Sequence, residues 1–214
     1  MTGAAPGASG HNAKTGPRVG VFGGAFDPPH IAHVALAQAA VEQLQFDELR
    51  IFPTGQAWHK AQTLSAPEHR LAMARIAFAG VPRTVIDDRE LRRPGPTYTI
   101  DTLRELLAAQ PQAQLFLVMG EDQSASLTRW HEWEAILGLA VICVAARPAA
   151  MGPEGGGPLQ ALPPQAQSRQ LRLPSMPDSA TQVRAQVAAG AGIAHLVPPG
   201  VARYIDQHHL YQPT

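Results

Sequence analysis

The chain has 214 residues, of which 17 are basic and 17 are acidic, so its formal net charge at neutral pH is zero. A surface without a positive excess lacks the attraction that a general nucleic-acid-binding surface requires, so no nucleic acid polymer is expected as a partner. The length is sufficient for one large domain with a sizeable core.

Cysteine content and terminal composition bear on the compartment. The only cysteine, Cys143, lies in an apolar run and cannot form an internal disulfide, which favours a reducing environment. No apolar run reaches the roughly 20 residues that span a membrane, and the glycine-rich start lacks the apolar centre of a secretory signal. We expect a disordered tail over residues 1–17, a single domain over 18–214, no membrane partner and a cytoplasmic location. A monomer and a homo-oligomer both remain open.

The first predicted elements form a strand, a turn and a helix. Residues 19–22 are apolar and predict a strand, and Gly23 and Gly24 are expected to turn the backbone sharply. After an Asp-Pro-Pro segment, a run rich in Ala, Val, Leu and Gln predicts a helix over residues 31–44. This order places backbone N–H groups and the positive end of a helix dipole at one point, which favours the binding of phosphate.

Two histidines stand at the start of that helix. His30 and His33 are spaced i, i+3, so their imidazole rings lie one turn apart and would face the same anion. The glycine spacing matches neither the P-loop nor the dinucleotide fingerprint. The phosphate site predicted here is therefore of another kind.

Strand and helix patterns alternate through the rest of the chain. Strands are predicted over residues 48–54, 84–91, 114–120, 139–145 and 170–174, and helices over 66–79, 98–109, 179–189 and 198–209. Thr97 or Thr99 is expected to cap the helix that begins at residue 98. The alternation predicts an α/β fold, Rossmann-like and doubly wound, with a mostly parallel sheet and helices on both faces. Residues 148–169 are rich in proline and glycine and are expected to form a flexible loop.

Six segments in this order resemble the nucleotidyltransferase superfamily and, within it, the bacterial nicotinate-nucleotide adenylyltransferases. They are GGAFDPPHIAH, the WHK loop after the second strand, RELRRPGPTYTIDTL, VMGEDQ followed by the tryptophan of TRWHEW, Arg147-Pro148 and SATQVR. The resemblance implies adenylyl transfer from ATP to nicotinate mononucleotide, giving deamido-NAD and pyrophosphate. It also implies Mg²⁺, held mainly through the phosphates of ATP.

The resemblance assigns roles to particular residues. The implied catalytic residues are His30, His33 and Arg184. The implied ATP-binding residues are Gly23, Gly24, Ala25, Phe26, Lys60, Gly120, Asp122 and Thr181. The implied substrate-binding residues are His59, Thr97, Thr99, Trp130 and Arg147, and no metal ligand among the side chains is implied.

Three alanines depart from the family pattern and keep other functions open. Ala25 stands where the family commonly has threonine, Ala32 where it has glycine, and Ala180 where it has serine. The alternatives are an adenylyltransferase of the same fold for nicotinamide mononucleotide or phosphopantetheine, or a nucleotide-binding regulator without turnover. The TYTIDTL segment and the tryptophan after GED argue against the phosphopantetheine enzyme.

Overall fold

A computed structural model describes residues 16–56, 64–146, 159, 162–174 and 179–213. Within these ranges six parallel strands form one sheet in the order β3-β2-β1-β4-β5-β6. The strands are β1 (Arg18–Gly24), β2 (Glu48–Pro53), β3 (Thr84–Ile86), β4 (Gln114–Gly120), β5 (Ala140–Ala146) and β6 (Ser168–Arg172). The sheet is the predicted parallel one.

Eight α-helices connect and flank the strands in the described part of the chain. They are α1 (Ile31–Leu44), α2 (Pro67–Phe78), α3 (Arg89–Arg92), α4 (Thr99–Ala109), α5 (Glu121–Ser124), α6 (Trp133–Leu139), α7 (Ala180–Ala188) and α8 (Pro199–Gln207). A short 3₁₀ turn, Leu127–Arg129, lies between α5 and α6.

The helices bury both faces of the sheet. One core cluster joins the sheet to α1, α2, α7 and α8, and the other joins it to α4 and α6. Strand β4 is apolar from Leu115 to Met119 because it is covered on both faces, and those five side chains are buried. Cys143 is buried in the first cluster, and burial raises the pKa of its thiol to about 12. The doubly wound α/β prediction is confirmed.

Several predicted details were wrong. The turn does not begin at Gly23 and Gly24, because β1 runs through both and pairs them with Phe52 and Pro53 of β2. Strand β3 ends at Ile86, and the residues that follow form α3, where the sequence had predicted a longer strand.

Two further boundaries differ from the sequence prediction. Neither Thr97 nor Thr99 caps α4; Tyr98 occupies the cap position, without a side-chain hydrogen bond there. Strand β6 begins at Ser168, inside the loop expected over residues 148–169. Most of that loop, like the tail up to residue 15, lies outside the described residues. Among the helices that are described, none is long and apolar enough to cross a membrane.

Candidate functional site

The sheet topology locates a crevice. The chain moves outward from β1 through β2 to β3, and then returns to the other side of β1 with β4. In open parallel sheets, ligands bind beyond the carboxyl ends of the strands where the strand order reverses. Here the carboxyl ends that flank the reversal are Gly24 of β1 and Gly120 of β4.

The segment from Gly23 to His33, together with Arg184, is called here the phosphate corner. Its turn centres on Phe26, which has a positive φ of 48° and is 1% exposed. The Phe26 ring contacts those of Phe22 and Phe78 edge to face, with centroids 5.5 and 5.4 Å away. The left-handed backbone is uncommon for a bulky residue, and this aromatic packing holds it.

The missing side chain has a different consequence at each of the two glycines of the corner. A Cβ atom at Gly24 would lie 2.9 Å from the Phe26 ring, so this glycine lets the aromatic side chain fold back on the strand. A Cβ atom at Gly23 would meet no described atom within 4 Å. The open space beside Gly23 is therefore available to a ligand that approaches the backbone closely.

His30 and His33 lie side by side, as their spacing predicted. Their ring centroids are 3.8 Å apart, and His30 is 7% exposed at the cap position of α1. The backbone N–H of His30 donates to Nδ1 of His33 over 3.2 Å. Because Nδ1 accepts this bond, the proton of the neutral His33 ring lies on Nε2. The geometry fixes both the tautomer and the direction of the ring.

Some backbone donors expected at this helix start are already used. The N–H of Ile31 donates to the carbonyl of Leu196 over 2.9 Å, and the N–H of His33 donates to the carbonyl of His30 over 3.0 Å. The helix dipole still favours an anion at this point. Side chains must nevertheless supply a larger share of the direct hydrogen bonds than the sequence alone suggested.

A buried arginine of α2 stabilises the phosphate corner through its backbone carbonyls. Arg70 is 2% exposed, and its guanidinium donates to the carbonyls of Ala25 (3.0 Å), Thr54 (2.7 Å) and Ser65 (3.0 Å). Burial lowers the pKa of Arg70, while the nearby Asp27 carboxylate opposes that shift. One side chain therefore ties the ends of β1 and β2 to the segment that precedes α2.

Two side-chain oxygens and the carbonyl of Asp27, which is 4% exposed, accept hydrogen bonds from other parts of the chain. The Tyr211 hydroxyl, near the C-terminus, donates to Oδ1 of Asp27 over 2.6 Å, and the backbone N–H of Ser65 donates to Oδ2 over 3.0 Å. Burial, together with the Asp27 carboxylate, raises the pKa of the Tyr211 hydroxyl. Arg184 of α7 donates to the Asp27 carbonyl over 2.7 Å and to Oγ1 of Thr181 over 3.2 Å.

A cleft opens on the other side of Gly23 and Gly24, with a volume of about 970 Å³ when open solvent at its mouth is included. Residues from β1, β2, β4, α3, α4 and the turn before α6 line it. The lining includes Gly23, Gly24, Ala25, Glu90, Thr97, Tyr98, Thr99, Thr102, Trp130 and His131. The cleft therefore shares its β1 wall with the phosphate corner.

Thr97 is one of the residues that line this cleft, and its side-chain hydroxyl is buried. The residue is 6% exposed, and its Oγ1 has no hydrogen-bond partner among the described residues. Its N–H donates to the carbonyl of Gln56 over 2.9 Å, and a Cβ atom at Gly55 would lie 2.7 Å from Oγ1. Only a glycine at position 55 permits this close approach. A buried polar group without a partner is costly, and a bound ligand would supply the missing bond.

A carboxyl group, Glu90, is buried in the same wall. It is 6% exposed, and the hydroxyl of Thr102 donates to its Oε1 over 2.7 Å. Burial raises the pKa of Glu90 to about 7, although the bond from Thr102 and the charge of Arg93 oppose the shift. Near neutral pH the group is therefore divided between its neutral and ionised forms.

The nearby Asp87 behaves in the opposite way. Burial alone would raise its pKa, but hydrogen bonds from Arg89 and Arg50 outweigh burial and lower it. Arg50 Nη1 and Arg89 Nη2 lie 2.9 and 2.8 Å from Oδ2 of Asp87. Asp87 therefore has two arginine partners, one on β2 and one on α3, and it fixes α3 on β2.

Aromatic groups line the outer part of the cleft. The rings of Tyr98 and His131 stack at a tilt of 33°, with centroids 4.3 Å apart. Trp130 stands beside them, half-buried, at the end of the 3₁₀ turn. Flat aromatic faces of this kind suit a flat heterocyclic ring.

The remaining predicted site residues are spread more widely. Gly120 ends β4, Asp122 is exposed on α5, and Thr181 is exposed in the first turn of α7. None of these three lines the cleft as the structure describes it. His59, Lys60 and Arg147 lie outside the described residues, and their roles stay predictions.

Sequence reasoning missed Arg70, Glu90 and Tyr211. A signal for Arg70 was present, since it falls on the same helical stripe as the buried Met73, Ala74 and Ala77. A charged residue on an apolar stripe indicates a buried polar contact. Nothing of this kind marked Tyr211, whose partner lies 184 positions earlier in the chain.

A doubly wound parallel sheet with a histidine-bearing phosphate corner at its switch point is the architecture of a nucleotide-binding α/β protein. The chain belongs to the cytidylyltransferase-like family, whose model matches residues 21–186.

Two of its relatives carry the same, more specific name. A protein of Albidiferax ferrireducens, named probable nicotinate-nucleotide adenylyltransferase, is 54% identical over 195 residues, covering 91% of this chain and 98% of that protein. A protein of the same name from Methylibium petroleiphilum is 43% identical over 206 residues, covering 94% and 96% of the two chains.

A solved structure agrees on the fold. Plasmodium falciparum nicotinic acid mononucleotide adenylyltransferase, complexed with NaAD, matches with a TM-score of 0.73 and covers 91% of this chain and 97% of its own. The sequence identity is 19%, so this likeness concerns the architecture.

Proposed function

We propose that the protein transfers the adenylyl group of ATP to nicotinate mononucleotide, giving deamido-NAD and pyrophosphate in NAD biosynthesis. The observation that carries the proposal is the 54% identity to a probable nicotinate-nucleotide adenylyltransferase along nearly the whole of both chains. The phosphate corner and the adjoining cleft support it, because together they suit a triphosphate and a flat, negatively charged ring.

In this proposal His30, His33 and Arg184 act on the phosphates. The transferring phosphorus passes between oxygen atoms, so catalysis depends on positioning and on neutralisation of charge. The paired rings 3.8 Å apart favour His30 and His33 as donors to the α- and β-phosphate oxygens. Arg184, midway along α7, would hold the β/γ end of the triphosphate.

The nucleotide would bind along the carboxyl ends of β1 and β4. The proposed ATP-binding residues are Gly23, Gly24, Ala25, Phe26, Lys60, Gly120, Asp122 and Thr181. The absence of a side-chain hydroxyl at Ala25 leaves only backbone donors there. The open space beside Gly23 supports a close approach of the triphosphate to the main chain.

The mononucleotide would place its pyridine ring in the cleft. We assign Thr97 and Thr99 to the nicotinate carboxylate and Trp130 to the face of the ring, with His59 and Arg147 as further contacts. The unpartnered hydroxyl of Thr97 supports this assignment, because a carboxylate would accept the hydrogen bond that Thr97 lacks among the described residues.

The proposed reaction is a single in-line displacement. A phosphate oxygen of the mononucleotide attacks the α-phosphorus of ATP, the new P–O bond forms, and the bond to the bridging oxygen of the β-phosphate breaks. Pyrophosphate leaves with that electron pair. No covalent enzyme intermediate is required, so a substrate with a chiral α-thiophosphate should react with inversion.

The described side chains suit a magnesium ion carried by the nucleotide. No group of three or more His, Cys, Asp or Glu side chains in the described ranges comes together as a ready metal site. We therefore propose that Mg²⁺ is coordinated mainly by triphosphate oxygens and water, the usual pattern for this ion. When bound, the ion neutralises charge on the phosphates.

The direct test is pyrophosphate release from ATP with a panel of acceptors. Nicotinate mononucleotide, nicotinamide mononucleotide and phosphopantetheine are each supplied with ATP and Mg²⁺, and the product is identified by mass. We expect turnover with the first substrate and the mass of deamido-NAD. Turnover with phosphopantetheine only, or tight ATP binding without turnover on any acceptor, would contradict the proposal. Cytoplasmic location and assembly state stay predictions.

A further inference from the structure

The cleft wall contains an acidic group that the proposed reaction does not use. Glu90 and Thr102 both line the cleft, and both are buried, with exposures of 6% and 0%. Among the described residues, the Glu90 carboxyl accepts one side-chain hydrogen bond, from the Thr102 hydroxyl at 2.7 Å. A carboxyl in such a place is stable when neutral and costly when ionised.

The surrounding charges leave Glu90 without a counterion. No ion pair to Glu90 exists among the described residues, although charged groups on the neighbouring elements lie around it. Asp87 is held by Arg50 and Arg89, and Arg93 bonds to Glu105 over 2.6 Å. Arg93 is the cation whose charge acts on Glu90, and it contacts the Thr102 hydroxyl at 3.4 Å.

The far wall of the cleft adds one more titratable group. His131 is exposed, and its Nε2 lies 3.5 Å from Oε1 of Glu132. That carboxylate lies outside the cleft lining, so the histidine is engaged on the solvent side. Glu90 is the carboxyl side chain that lines the described cleft, and its charge acts on whatever the cleft holds.

This charge bears on the choice between the acid and the amide. Nicotinate and nicotinamide mononucleotides share the pyridinium ring, the ribose and the phosphate, and they differ by one negative charge on the ring substituent. An ionised Glu90 repels that extra charge, whereas a neutral Glu90 does not. The difference acts on the acid alone, and it grows as the ring substituent lies closer to Glu90.

We propose that Glu90 is a specificity-determining residue: its neutral carboxyl admits the nicotinate carboxylate, and its ionised form reduces the preference for the acid over the amide. The inference rests on the proposed function, because it concerns the substrates of that reaction. Burial places the pKa of this group at about 7, so the preference should change within the physiological range.

The test is the ratio of kcat/KM for the two mononucleotides, measured by pyrophosphate release between about pH 6 and about pH 8.5, on either side of the Glu90 transition. Ionisation of the substrate phosphate, of ATP and of the histidines in the phosphate corner affects both substrates alike and cancels in the ratio. Where the amide turns over slowly, the ratio of the dissociation constants of the two mononucleotides replaces the ratio of kcat/KM.

For the wild-type protein we expect the acid-to-amide ratio to fall about tenfold as pH rises across this interval, a change of ~1.4 kcal/mol. For Glu90→Gln we expect a ratio that stays constant at the low-pH value of the wild type. Glu105→Gln serves as the matched control, because Glu105 also faces Arg93 but is 45% exposed. It should keep the pH-dependent fall.

A constant ratio in the wild type overturns the inference, and so does a Glu90→Gln variant that keeps the fall. Where Glu90→Gln does not fold, the wild-type profile is compared with that of His131→Gln, which removes the titratable imidazole of the described cleft lining. A fall that disappears in His131→Gln overturns the inference, and one that persists supports it. Turnover of neither mononucleotide at any pH would instead overturn the proposed function. The two failures are therefore distinguishable.

An independent readout tests the titration itself. The folded-state pKa of Glu90 lies above its ordinary value of 4.5, so the folded protein keeps this proton after the unfolded chain has lost it. The stabilising contribution is complete below pH 4.5 and is lost as pH rises towards 7. Urea unfolding should show wild-type stability falling relative to Glu90→Gln over that interval, and parallel profiles would contradict the titration.

Discussion

The phosphate corner and the cleft adjoin along β1, yet they are built in opposite ways. In the corner, Arg70 of α2, Arg184 of α7 and Tyr211 from the turn after α8 already hold the backbone turn through its carbonyls and the Asp27 carboxylate. In the cleft, the Thr97 hydroxyl has no partner in the described protein and Glu90 has no counterion there.

The difference matches two different tasks. Transfer of a charged group requires donors that are fixed before the substrate arrives, because reorganisation during the reaction is costly. Discrimination between an acid and an amide depends on polar groups that only the correct substrate satisfies. The protein's own contacts therefore hold the turn of the corner in place, whereas polar groups of the cleft are left for a ligand to bind.

The largest effect on stability should follow loss of the buried arginine. Arg70→Met leaves the carbonyls of Ala25, Thr54 and Ser65 without their donor. Buried unpaired groups cost about 1–3 kcal/mol each, so we expect unfolding free energy to drop by about 3 kcal/mol or more. Urea unfolding measures the change.

The control for this variant is Arg75→Met, which removes an exposed arginine from the same helix. It should alter the unfolding midpoint little. Equal stability of the two variants would mean that the protein does not hold the corner in the way its contacts indicate.

Loss of the second histidine should have the largest effect on the chemical step. His33→Ala removes the ring whose Nδ1 accepts from the His30 N–H, and with it the proposed donor to the phosphates. We expect kcat to fall by about 100-fold or more, in the range of a lost transition-state donor. The exposed His195→Ala variant is the control and should keep full activity. Full activity in folded His33→Ala would remove this residue from the mechanism.

In the cleft, loss of a hydroxyl should lower activity without lowering stability, in contrast to the loss of Arg70 in the corner. Thr97→Val replaces a buried, unpartnered hydroxyl by a methyl group, so stability should be unchanged or higher. The kcat/KM for nicotinate mononucleotide should fall by about tenfold, since a bond to a charged group is worth about 1.5–3 kcal/mol.

Thr102→Val provides the contrast, because its hydroxyl already donates to Glu90. Chemical denaturation should show a loss of stability for Thr102→Val and none for Thr97→Val. Destabilisation by Thr97→Val, with unchanged kinetics, would mean that this hydroxyl has a structural partner and no part in binding.

The smallest expected effect concerns the C-terminal grip on the corner. Tyr211→Phe removes the bond to Asp27 and should lower unfolding free energy by about 1 kcal/mol and kcat by about threefold. Tyr204→Phe removes a bond of 3.0 Å to His69, away from the corner, and is the matched control. It should reduce stability by a similar amount and leave kcat unchanged. An equal loss of kcat in both variants would contradict the view that the bond from Tyr211 to Asp27 positions the corner.

The sequence predicted most of the fold, because apolar periodicity and turn residues act locally. The helix over residues 31–44 and the apolar strand over 114–120 match α1 and β4 at both ends. The corner was recognisable because Gly23 to His33 is one continuous segment.

What the sequence did not reveal depends on contacts between distant segments. Tyr211 reaches Asp27 across 184 positions, and Arg70 reaches Ala25 across 45. The neutral tendency of Glu90 comes from burial beneath α4, which no local pattern records. The sequence predicts the turn two residues early, because a pair of glycines usually ends a strand, whereas here Gly24 accommodates the Phe26 ring.

The most direct test of the contrast between corner and cleft is the acid-to-amide selectivity at about pH 6, where Glu90 is largely neutral. Both mononucleotides carry the phosphate that the corner requires. The acid offers the proposed donors at Thr97 and Thr99 a charged acceptor, to which hydrogen bonds are stronger than to the neutral oxygen of the amide, and a neutral Glu90 does not repel it. We predict a kcat/KM for nicotinate mononucleotide at least about 100-fold above that for nicotinamide mononucleotide, equivalent to roughly 2.7 kcal/mol. Comparable values for the two substrates would contradict the assignment of the cleft to the acid.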